Sequence, residues 1–242
     1  MANIKLNGIV IVENNLGDYD KMLTILTPNF GKISCVAKGA RRPQSALLAG
    51  TQLFCFGEYM MYKGTNTYHI NSCETIEIFY NIRTDLDKLK YAIHINKIIQ
   101  DITEENENCY KILQLYLNTL YTIAETDKNL DLVLSVFKMR LLSILGYTPR
   151  IMNCVKCKEK EKLTKFSIKD NGFKCEPCGR QDKSAIDMSE STKNAIKYVI
   201  TAPPKKLFSF NLKDDGLEEF KLISKIYFNE KLEKEYKVEE IF

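Results

Sequence analysis

Residues 21–37 read KMLTILTPNFGKISCVA, which is two apolar runs joined by a short turn. The runs Lys21–Thr27 and Lys32–Ala37 are rich in Ile, Leu, Val and Thr, and Pro28-Asn29-Phe30-Gly31 between them has residue types that favour turns. Two such runs, close in sequence, can pair as antiparallel strands. This stretch therefore predicts a β-hairpin.

Further strands are predicted on both sides of the hairpin. Ile4–Glu13 is rich in Ile and Val and ends at the turn Asn14-Asn15-Leu16-Gly17-Asp18. Phe54–Tyr62 and Thr67–Ser72 follow, separated by the turn Lys63-Gly64-Thr65-Asn66. Five short strands in residues 1–80, without a helical period, predict a small closed or partly closed barrel of the OB-like type.

Apolar residues recur with a helical period from residue 84 onwards. Thr84 and Asp85 provide a helix start, and Gly146 provides a stop. The predicted helices are Asp85–Ile102, Cys109–Ala124, Leu130–Leu145, a helix capped by Ser189 that runs to Ile200, and Gly216–Phe228.

Two CxxC pairs, Cys154-Val-Lys-Cys157 and Cys175-Glu-Pro-Cys178, are separated by seventeen residues. This spacing allows two tight turns to direct four sulfur atoms at one ion. We expect one structural Zn²⁺, because four protein ligands leave no open coordination position; iron in a rubredoxin-like site would have the same geometry. Gly179 follows the second pair and is expected to have a positive φ.

The other four of the eight cysteines, Cys35, Cys55, Cys73 and Cys109, lie scattered in apolar stretches. The sequence shows neither a signal peptide nor an apolar run of transmembrane length. This pattern favours buried thiols in a reducing cytoplasm over a disulfide framework.

The elements together predict an α+β multidomain protein, in which a five-stranded OB-like β-barrel precedes an α-helical domain with an inserted four-cysteine zinc element. An OB-fold-like nucleic-acid-binding domain is expected at 1–80 and the first part of the helical domain at 81–149. The four-cysteine zinc-binding module is expected at 150–182, and the C-terminal part of the helical domain at 183–242.

Positive charge is unevenly distributed, although the formal net charge is only +4. Between Lys21 and Gly57 the chain has no acidic residue and five basic ones: Lys21, Lys32, Lys38, Arg41 and Arg42. Three of them lie in the loop at 37–43, where adjacent arginines can reach different phosphates. An ordinary solvated loop is the alternative. Since basic clusters on small barrels bind nucleic-acid backbones, we expect these five residues to do so.

No catalytic constellation is found in the sequence. It contains no GxxxxGK[ST], GxSxG, HExxH or GxGxxG motif and has two histidines. Glu13, Asp18 and Asp20 could suggest a carboxylate site, but no further acidic residue follows before Glu58, and we interpret them as turn-forming and ion-pairing residues. We therefore expect a binding protein that is not an enzyme.

Several stretches of the chain resemble the RecO family of bacterial DNA repair proteins. They are Gly17-Asp18-Tyr19-Asp20-Lys21, Leu26-Thr27-Pro28-Asn29-Phe30-Gly31-Lys32, Val36-Ala37-Lys38-Gly39-Ala40-Arg41-Arg42-Pro43-Gln44-Ser45 and Gly50-Thr51-Gln52-Leu53-Phe54. The order of barrel, helical domain and inserted CxxC pairs also agrees, over essentially the whole chain. Gln44 departs from the family pattern, where lysine is common, and Asp18 stands where glutamate is common.

The resemblance implies a recombination mediator that binds single- and double-stranded DNA, anneals complementary strands and helps to load recombinase onto protein-coated single-stranded DNA. The implied protein partners are RecR, the C-terminal tail of single-stranded DNA-binding protein and, indirectly, RecA. The loop residues Lys38, Arg41 and Arg42 match the family's DNA-contacting loop, and the two CxxC pairs match its zinc ligands. The implied location is the bacterial cytoplasm, with nucleoid association and no membrane partner.

Two other classes of protein share some of these features. OB barrels and zinc ribbons also occur in RNA- and ribosome-associated binding proteins. A metalloenzyme or thiol redox protein could use the CxxC pairs for chemistry. The family resemblance places the DNA-binding interpretation ahead of both.

Overall fold

The computed structural model describes residues 3–65 and 67–238. The chain forms two compact units, Met1–Gln114 and Leu115–Phe242. Within the described ranges, no helix is both long and apolar enough to cross a membrane.

The first unit contains a closed five-stranded barrel with the strand order β1-β2-β3-β5-β4. Neighbouring strands are antiparallel except β3 and β5, which pair in parallel. This architecture confirms the predicted OB-like barrel. The strands are β1 (Asn3–Leu16), β2 (Asp20–Thr27), β3 (Gly31–Ala37), β4 (Phe56–Lys63) and β5 (Tyr68–Glu77).

The strand ends differ from the predicted ones where pairing continues through polar residues. β1 reaches Leu16, opposite Asp20 of β2, so that most of the predicted turn after Glu13 is strand. Gly17, with φ +58°, makes the tight turn that remains. The predicted turn between β4 and β5 includes Asn66, which lies outside the described residues.

Alternate side chains of the strands fill the barrel. In β2, for example, Leu23 and Ile25 are buried while Met22 and Thr24 are half-buried, as period-2 alternation requires. The loop after β3 also contributes to this core. The core residues are Leu6, Val10, Leu23, Ile25, Ile33, Cys35, Ala37, Ala40, Leu47, Cys55, Tyr59, Met61 and Ile70.

Helix α1 (Leu86–Ile102) packs in the same compact unit as the barrel. Asp85 caps it by accepting a hydrogen bond from the backbone N–H of Lys88 at 3.0 Å. The register of β1 and β2 shifts at Ile11, and the freed carbonyl accepts hydrogen bonds from the side-chain amides of Asn96 and Gln100, each at 2.9 Å. A barrel irregularity thus provides the anchor for the helix. The four-part division of the chain stays a prediction.

The second unit is mainly helical. Helix α3 packs against α5 and α6, and these two also pack against each other. A small antiparallel sheet with the order β7-β6-β8 lies in the region of the two CxxC pairs. The remaining elements are α2 (Tyr110–Glu125), α3 (Leu130–Ile144), β6 (Leu163–Ser167), β7 (Gly172–Cys175), α4 (Glu176–Arg180), β8 (Ala185–Asp187), α5 (Glu190–Thr201) and α6 (Asp214–Leu232).

Candidate nucleic-acid interface and metal centre

The basic loop that follows β3 has a defined backbone conformation. Gly39 has φ +65°, a backbone conformation that residues other than glycine rarely adopt. Its carbonyl accepts a hydrogen bond from Arg42 N at 3.1 Å. Ala40 is fully buried in the barrel core. The loop is therefore held from inside the barrel while its neighbouring basic side chains point to solvent.

Three hydrogen bonds fix this loop to the turn between β1 and β2. Asp20 Oδ1 accepts from Gly39 N at 2.7 Å, and the carbonyl of Tyr19 accepts from Arg41 N at 2.9 Å. The guanidinium of Arg41 donates to the carbonyl of Gly17 at 3.1 Å. The interpretation of Asp20 as a turn-forming residue agrees with this contact.

Lys38, Arg41 and Arg42 are all exposed. Among the residues that the structure describes, none of the three forms an ion pair with a carboxylate. The guanidinium carbon of Arg42 lies 5.2 Å from the ring centroid of Tyr19, a cation–π contact. Tyr19 is 51% exposed, so part of its surface remains open to a ligand. Sequence reasoning missed Tyr19 as a site residue, although its position in the turn before β2 was a usable signal.

Lys21 and Lys32 are placed differently from the loop residues. Lys21 is 8% exposed, and its amine donates to the carbonyl of Thr51 at 3.1 Å and pairs with Glu13 at 3.3 Å. The amine of Lys32 donates to the carbonyl of Gln100 at 2.9 Å. Lys21 is thus buried and paired with a carboxylate, and Lys32 is half-buried, whereas Lys38, Arg41 and Arg42 are exposed and have no carboxylate partner among the described residues.

The four cysteines of the two CxxC pairs converge in the second unit. Their sulfur atoms all lie within 4.8 Å of one another, and the Sγ atoms of Cys157 and Cys175 are 3.5 Å apart. Tetrahedral Zn–S bonds of about 2.3 Å require S–S separations of about 3.8 Å. The donor set and spacing thus fit one thiolate-coordinated ion, and the four residues could hold a metal.

The backbone around the first pair forms a knuckle. Cys154 N donates to the carbonyl of Glu159 at 2.7 Å, and Lys158 N donates to the carbonyl of Cys154 at 3.0 Å. Lys158 has φ +67°, so the positive φ falls after the first pair. The expectation for Gly179 was wrong: it lies within α4, and a Cβ there would approach Lys165 Cδ to 2.3 Å. The side chain of Lys165 packs across Gly179, and a larger residue at this position would clash with it.

The pKa values of the thiols are spread within the cluster. Burial disfavours the Cys154 thiolate, but hydrogen bonds from the backbone N–H groups of Cys157, Cys175 and Lys156 outweigh it and lower its pKa to about 6. Burial and the neighbouring sulfur atoms raise the pKa of Cys178 to about 12. Four clustered thiolates repel one another, and a divalent cation would remove this conflict.

The remaining four cysteines lie outside the thiol cluster. Cys35, Cys55, Cys73 and Cys109 are free, and three of them are buried. Burial raises the pKa of Cys35 to about 12 and that of Cys109 to about 11. The expectation of buried thiols is thus confirmed for Cys35, Cys55 and Cys109, whereas Cys73 is half-buried.

The fold and the two sites define a class of multidomain protein: an OB-like barrel with an exposed basic loop, followed by a helical unit with four clustered cysteines that could hold a metal ion. A family model described as Recombination protein O N terminal matches residues 1–79, and one described as Recombination protein O C terminal matches residues 83–240. The chain belongs to the RecO family.

Relatives named DNA repair protein RecO are similar in sequence to nearly the whole of this chain. The DNA repair protein RecO of Acetivibrio thermocellus is 43% identical over 237 residues, which cover 98% of this chain and 94% of the relative. The protein of the same name in Thermoanaerobacter sp. is 33% identical and covers 98% of this chain and 96% of its own length. That of Bacillus subtilis is 30% identical, and the match covers 93% of this chain and 88% of the relative. These relatives confirm the family resemblance.

Proposed function

We propose that the protein is a DNA-binding and strand-annealing recombination mediator in DNA repair, without catalytic activity of its own. The observation that carries this proposal is the basic loop, in which Lys38, Arg41 and Arg42 are exposed and without carboxylate partners among the described residues. Membership of the RecO family supports DNA as the polyanion. Three unneutralised cations on an ordered loop form an electrostatic contact surface for phosphates.

Annealing follows from the same electrostatics. Cations that neutralise the backbones of two strands reduce their mutual repulsion and leave the base edges free to pair. Binding of this kind does not depend on sequence. We assign the DNA contacts to the exposed residues Lys38, Arg41 and Arg42. We leave out Lys21, which is buried and paired with Glu13, and Lys32, which is half-buried.

The exposed ring of Tyr19 adds a stacking surface to the loop. The ring lies beside the Arg42 guanidinium, so one base could stack on it while the guanidinium contacts the adjacent phosphate. This combination favours single-stranded over double-stranded DNA, since bases in a duplex are not available for stacking on a side chain.

We propose that Cys154, Cys157, Cys175 and Cys178 hold one Zn²⁺ ion with a structural role. When bound, the ion would cross-link the two knuckles and neutralise the thiolates. With all four positions supplied by protein ligands, no coordination site is left for a substrate. The support for zinc over iron is the prevalence of Zn²⁺ in structural sites of this kind.

The wider role of the protein follows from the family. We propose partnership with RecR, with the C-terminal tail of single-stranded DNA-binding protein and, indirectly, with RecA during recombinase loading. The expected location is the bacterial cytoplasm near the nucleoid, where cysteine thiols stay reduced.

Substitution of both loop arginines tests the DNA assignment. Arg41→Ala with Arg42→Ala should weaken single-stranded DNA binding and reduce the slope of log K against log[salt] by about 1.4, since each lost phosphate contact contributes about 0.7. Lys205→Ala with Lys206→Ala is the matched control, because it removes two adjacent exposed cations from the second unit. Equal binding isotherms for the loop variant and the wild type across a salt series would refute the assignment, as would a preference for structured RNA in direct competition.

A further inference from the structure

The stretch from the end of β5 to the first turn of α1 exposes three large apolar side chains. Ile76 is 57% exposed, Tyr80 68% and Leu86 70%, and all three belong to the first compact unit. Single exposed apolar residues are ordinary on a protein surface, but a concentration of them within one short stretch marks an interaction surface. We call residues 74–87 the β5–α1 surface.

Ile76 is turned outward by a β-bulge. Phe56 of β4 pairs with Glu77 and Gly57 pairs with Thr75, so that Ile76 is left without a partner on β4. A bulge of this kind adds one residue to a strand and re-aims its side chain. On the other edge, β3 pairs only with the first two residues of β5. Among the described strands, none therefore covers Ile76.

A strained backbone presents Tyr80. Phe79 is buried and has φ +52°, a conformation that bulky residues rarely adopt. The N–H of the buried Ile82 donates to the carbonyl of Phe79 at 3.1 Å, which closes one turn of 3-10 helix. Phe79 and Ile82 thus hold the turn from inside the unit and leave Tyr80 in solvent. Strained backbone of this kind is concentrated at functional sites.

Further contacts order the stretch without a partner. Glu77 Oε1 accepts hydrogen bonds from the backbone N–H groups of Ile78 at 2.9 Å and Phe79 at 3.0 Å. The guanidinium of Arg83 donates to the carbonyl of Leu53 at 2.5 Å. The stretch is therefore pre-ordered, and a pre-ordered surface loses little conformational freedom when a partner binds.

Carboxylates surround the exposed apolar side chains. The exposed acidic residues of the β5–α1 surface are Glu74, Glu77, Asp85 and Asp87, and the one cation within it is Arg83. Glu74 and Asp87 form no ion pair with any residue that the structure describes. This charge repels phosphate groups and acidic peptides and attracts a cationic segment.

We propose that the β5–α1 surface binds a segment of another protein in which apolar side chains are flanked by Lys or Arg. The apolar side chains pack on Ile76, Tyr80 and Leu86, and the cations pair with Glu74 and Asp87. An arginine of the partner also has the face of the Tyr80 ring available for a cation–π contact. The partner is opposite in charge to DNA, so this surface acts separately from the basic loop.

The basic loop of a second copy is also cationic, but it matches the surface less well. The aromatic ring beside it, Tyr19, already lies against Arg42 and offers little apolar area to three exposed side chains. A separate protein with its own apolar residues satisfies both the charge and the apolar part of the surface.

Selection from a phage-displayed library of random peptides tests the surface without assuming a partner sequence. The full chain is the target, and Tyr80→Ser with Leu86→Ser is used for counter-selection, which removes peptides that bind elsewhere. Both residues are exposed, so the variant is expected to fold. We expect enrichment of sequences in which Lys or Arg adjoins apolar residues. Enrichment of acidic sequences, or of none that discriminates between the two proteins, would overturn the proposal.

Fluorescence anisotropy with a selected peptide then tests the carboxylates. Glu74→Lys with Asp87→Lys should weaken binding by about tenfold, the effect of two exposed ion pairs. Glu104→Lys with Glu105→Lys is the matched control, because it reverses two exposed carboxylates of the same unit outside the surface, and it should leave the affinity unchanged. Equal losses in both variants would contradict the proposal. Arg41→Ala with Arg42→Ala should retain peptide binding, which separates this surface from the proposed function.

Sedimentation velocity distinguishes a separate partner from a second copy. The wild type and the Tyr80→Ser, Leu86→Ser variant should sediment as the same species over a range of protein concentrations. A wild-type dimer that these substitutions dissociate would assign the surface to a second copy and overturn the proposal of a separate partner.

Discussion

The guanidinium of Arg42 lies over the ring of Tyr19, 5.2 Å from its centroid, and so joins the loop after β3 to the turn before β2. Hydrogen bonds between the same two segments run from Arg41 N to the carbonyl of Tyr19 and from Gly39 N to Asp20. The guanidinium of Arg42, the ring of Tyr19 and the backbone of the loop are thus held together by direct contacts. Each of these contacts can be removed by a separate substitution.

Tyr19→Ala should weaken single-stranded DNA binding by about 1–3 kcal/mol, the effect of one lost base–aromatic stack. Tyr19→Phe should bind nearly as tightly, because the ring remains. Fluorescence anisotropy with a labelled oligonucleotide measures both. Phe30→Ala is the control, since Phe30 is also 51% exposed but lies in the neighbouring hairpin turn. Equal losses for Tyr19→Ala and Phe30→Ala would contradict a specific role for Tyr19.

Asp20→Ala should loosen the basic loop without removing any cation. The Gly39 N–H would lose its 2.7 Å acceptor, and its hydrogen exchange should become faster. We expect DNA affinity to fall while the salt slope stays near that of the wild type, because the number of cations is the same. Asp20→Asn keeps an acceptor oxygen and should restore slow exchange. If hydrogen exchange of the Gly39 N–H is unaffected in Asp20→Ala, the hydrogen bond from Gly39 N to Asp20 is not what orders the loop.

Cys154→Ser should abolish metal binding and lower the midpoint of thermal unfolding. Serine cannot supply a thiolate, and binding free energy of a structural metal contributes directly to folding. Metal analysis of the wild type is expected to give about one Zn²⁺ per chain. Cys73→Ser is the control, because Cys73 lies in the barrel, outside the cluster. Retention of zinc by Cys154→Ser would show that this residue is not a ligand.

Asp182 makes a pH-dependent contribution to stability. Burial opposes its ionisation, but the ion pair with Lys174 at 2.7 Å and hydrogen bonds from Ser167 and Ser184 outweigh it and hold the pKa of Asp182 well below its ordinary value. Because the folded pKa lies below the unfolded value of about 3.9, the stabilisation is fully present above that value and is lost as pH falls towards the folded pKa.

Asp182→Asn should therefore destabilise the protein by about 3 kcal/mol at pH 7, since the Lys174 side chain is 4% exposed and would lose one of its two carboxylates. The difference from the wild type should shrink as pH falls below about 4. Urea denaturation at several pH values measures it. Asp187→Asn, at an 83% exposed carboxylate, should cost less than about 1 kcal/mol. A pH-independent difference would rule out the Asp182 carboxylate as its source.

Local patterns were sufficient for much of the fold. The apolar runs around Pro28–Gly31 specify the hairpin, and Asp85 marks the start of α1 one residue before it begins. The CxxC spacing predicted the full thiol cluster, because two residues between cysteines impose a turn whatever surrounds them. In these cases the determining interactions lie within a few residues of one another in the sequence.

The tertiary structure decided which of the five similar basic residues are exposed and can contact a phosphate. Lys21 and Lys38 look alike in the sequence, yet Lys21 is buried against the carbonyl of Thr51 and Lys38 is exposed. Likewise, only the fold shows that the side chain of Lys165 crosses Gly179 and that Asn171 Oδ1 has no donor among the described residues.

The sequence by itself therefore determined the barrel strands, the helices and the thiol ligand set, since pattern and spacing act locally. Whether the amine of Lys21 or Lys32 meets a carbonyl, and whether Tyr19 meets Arg42, depended on residues far away in the sequence, up to 68 positions in the case of Lys32. Burial, ion pairing and access to solvent are set by such distant contacts, and they separate a cation that stabilises the barrel from one that can bind a phosphate.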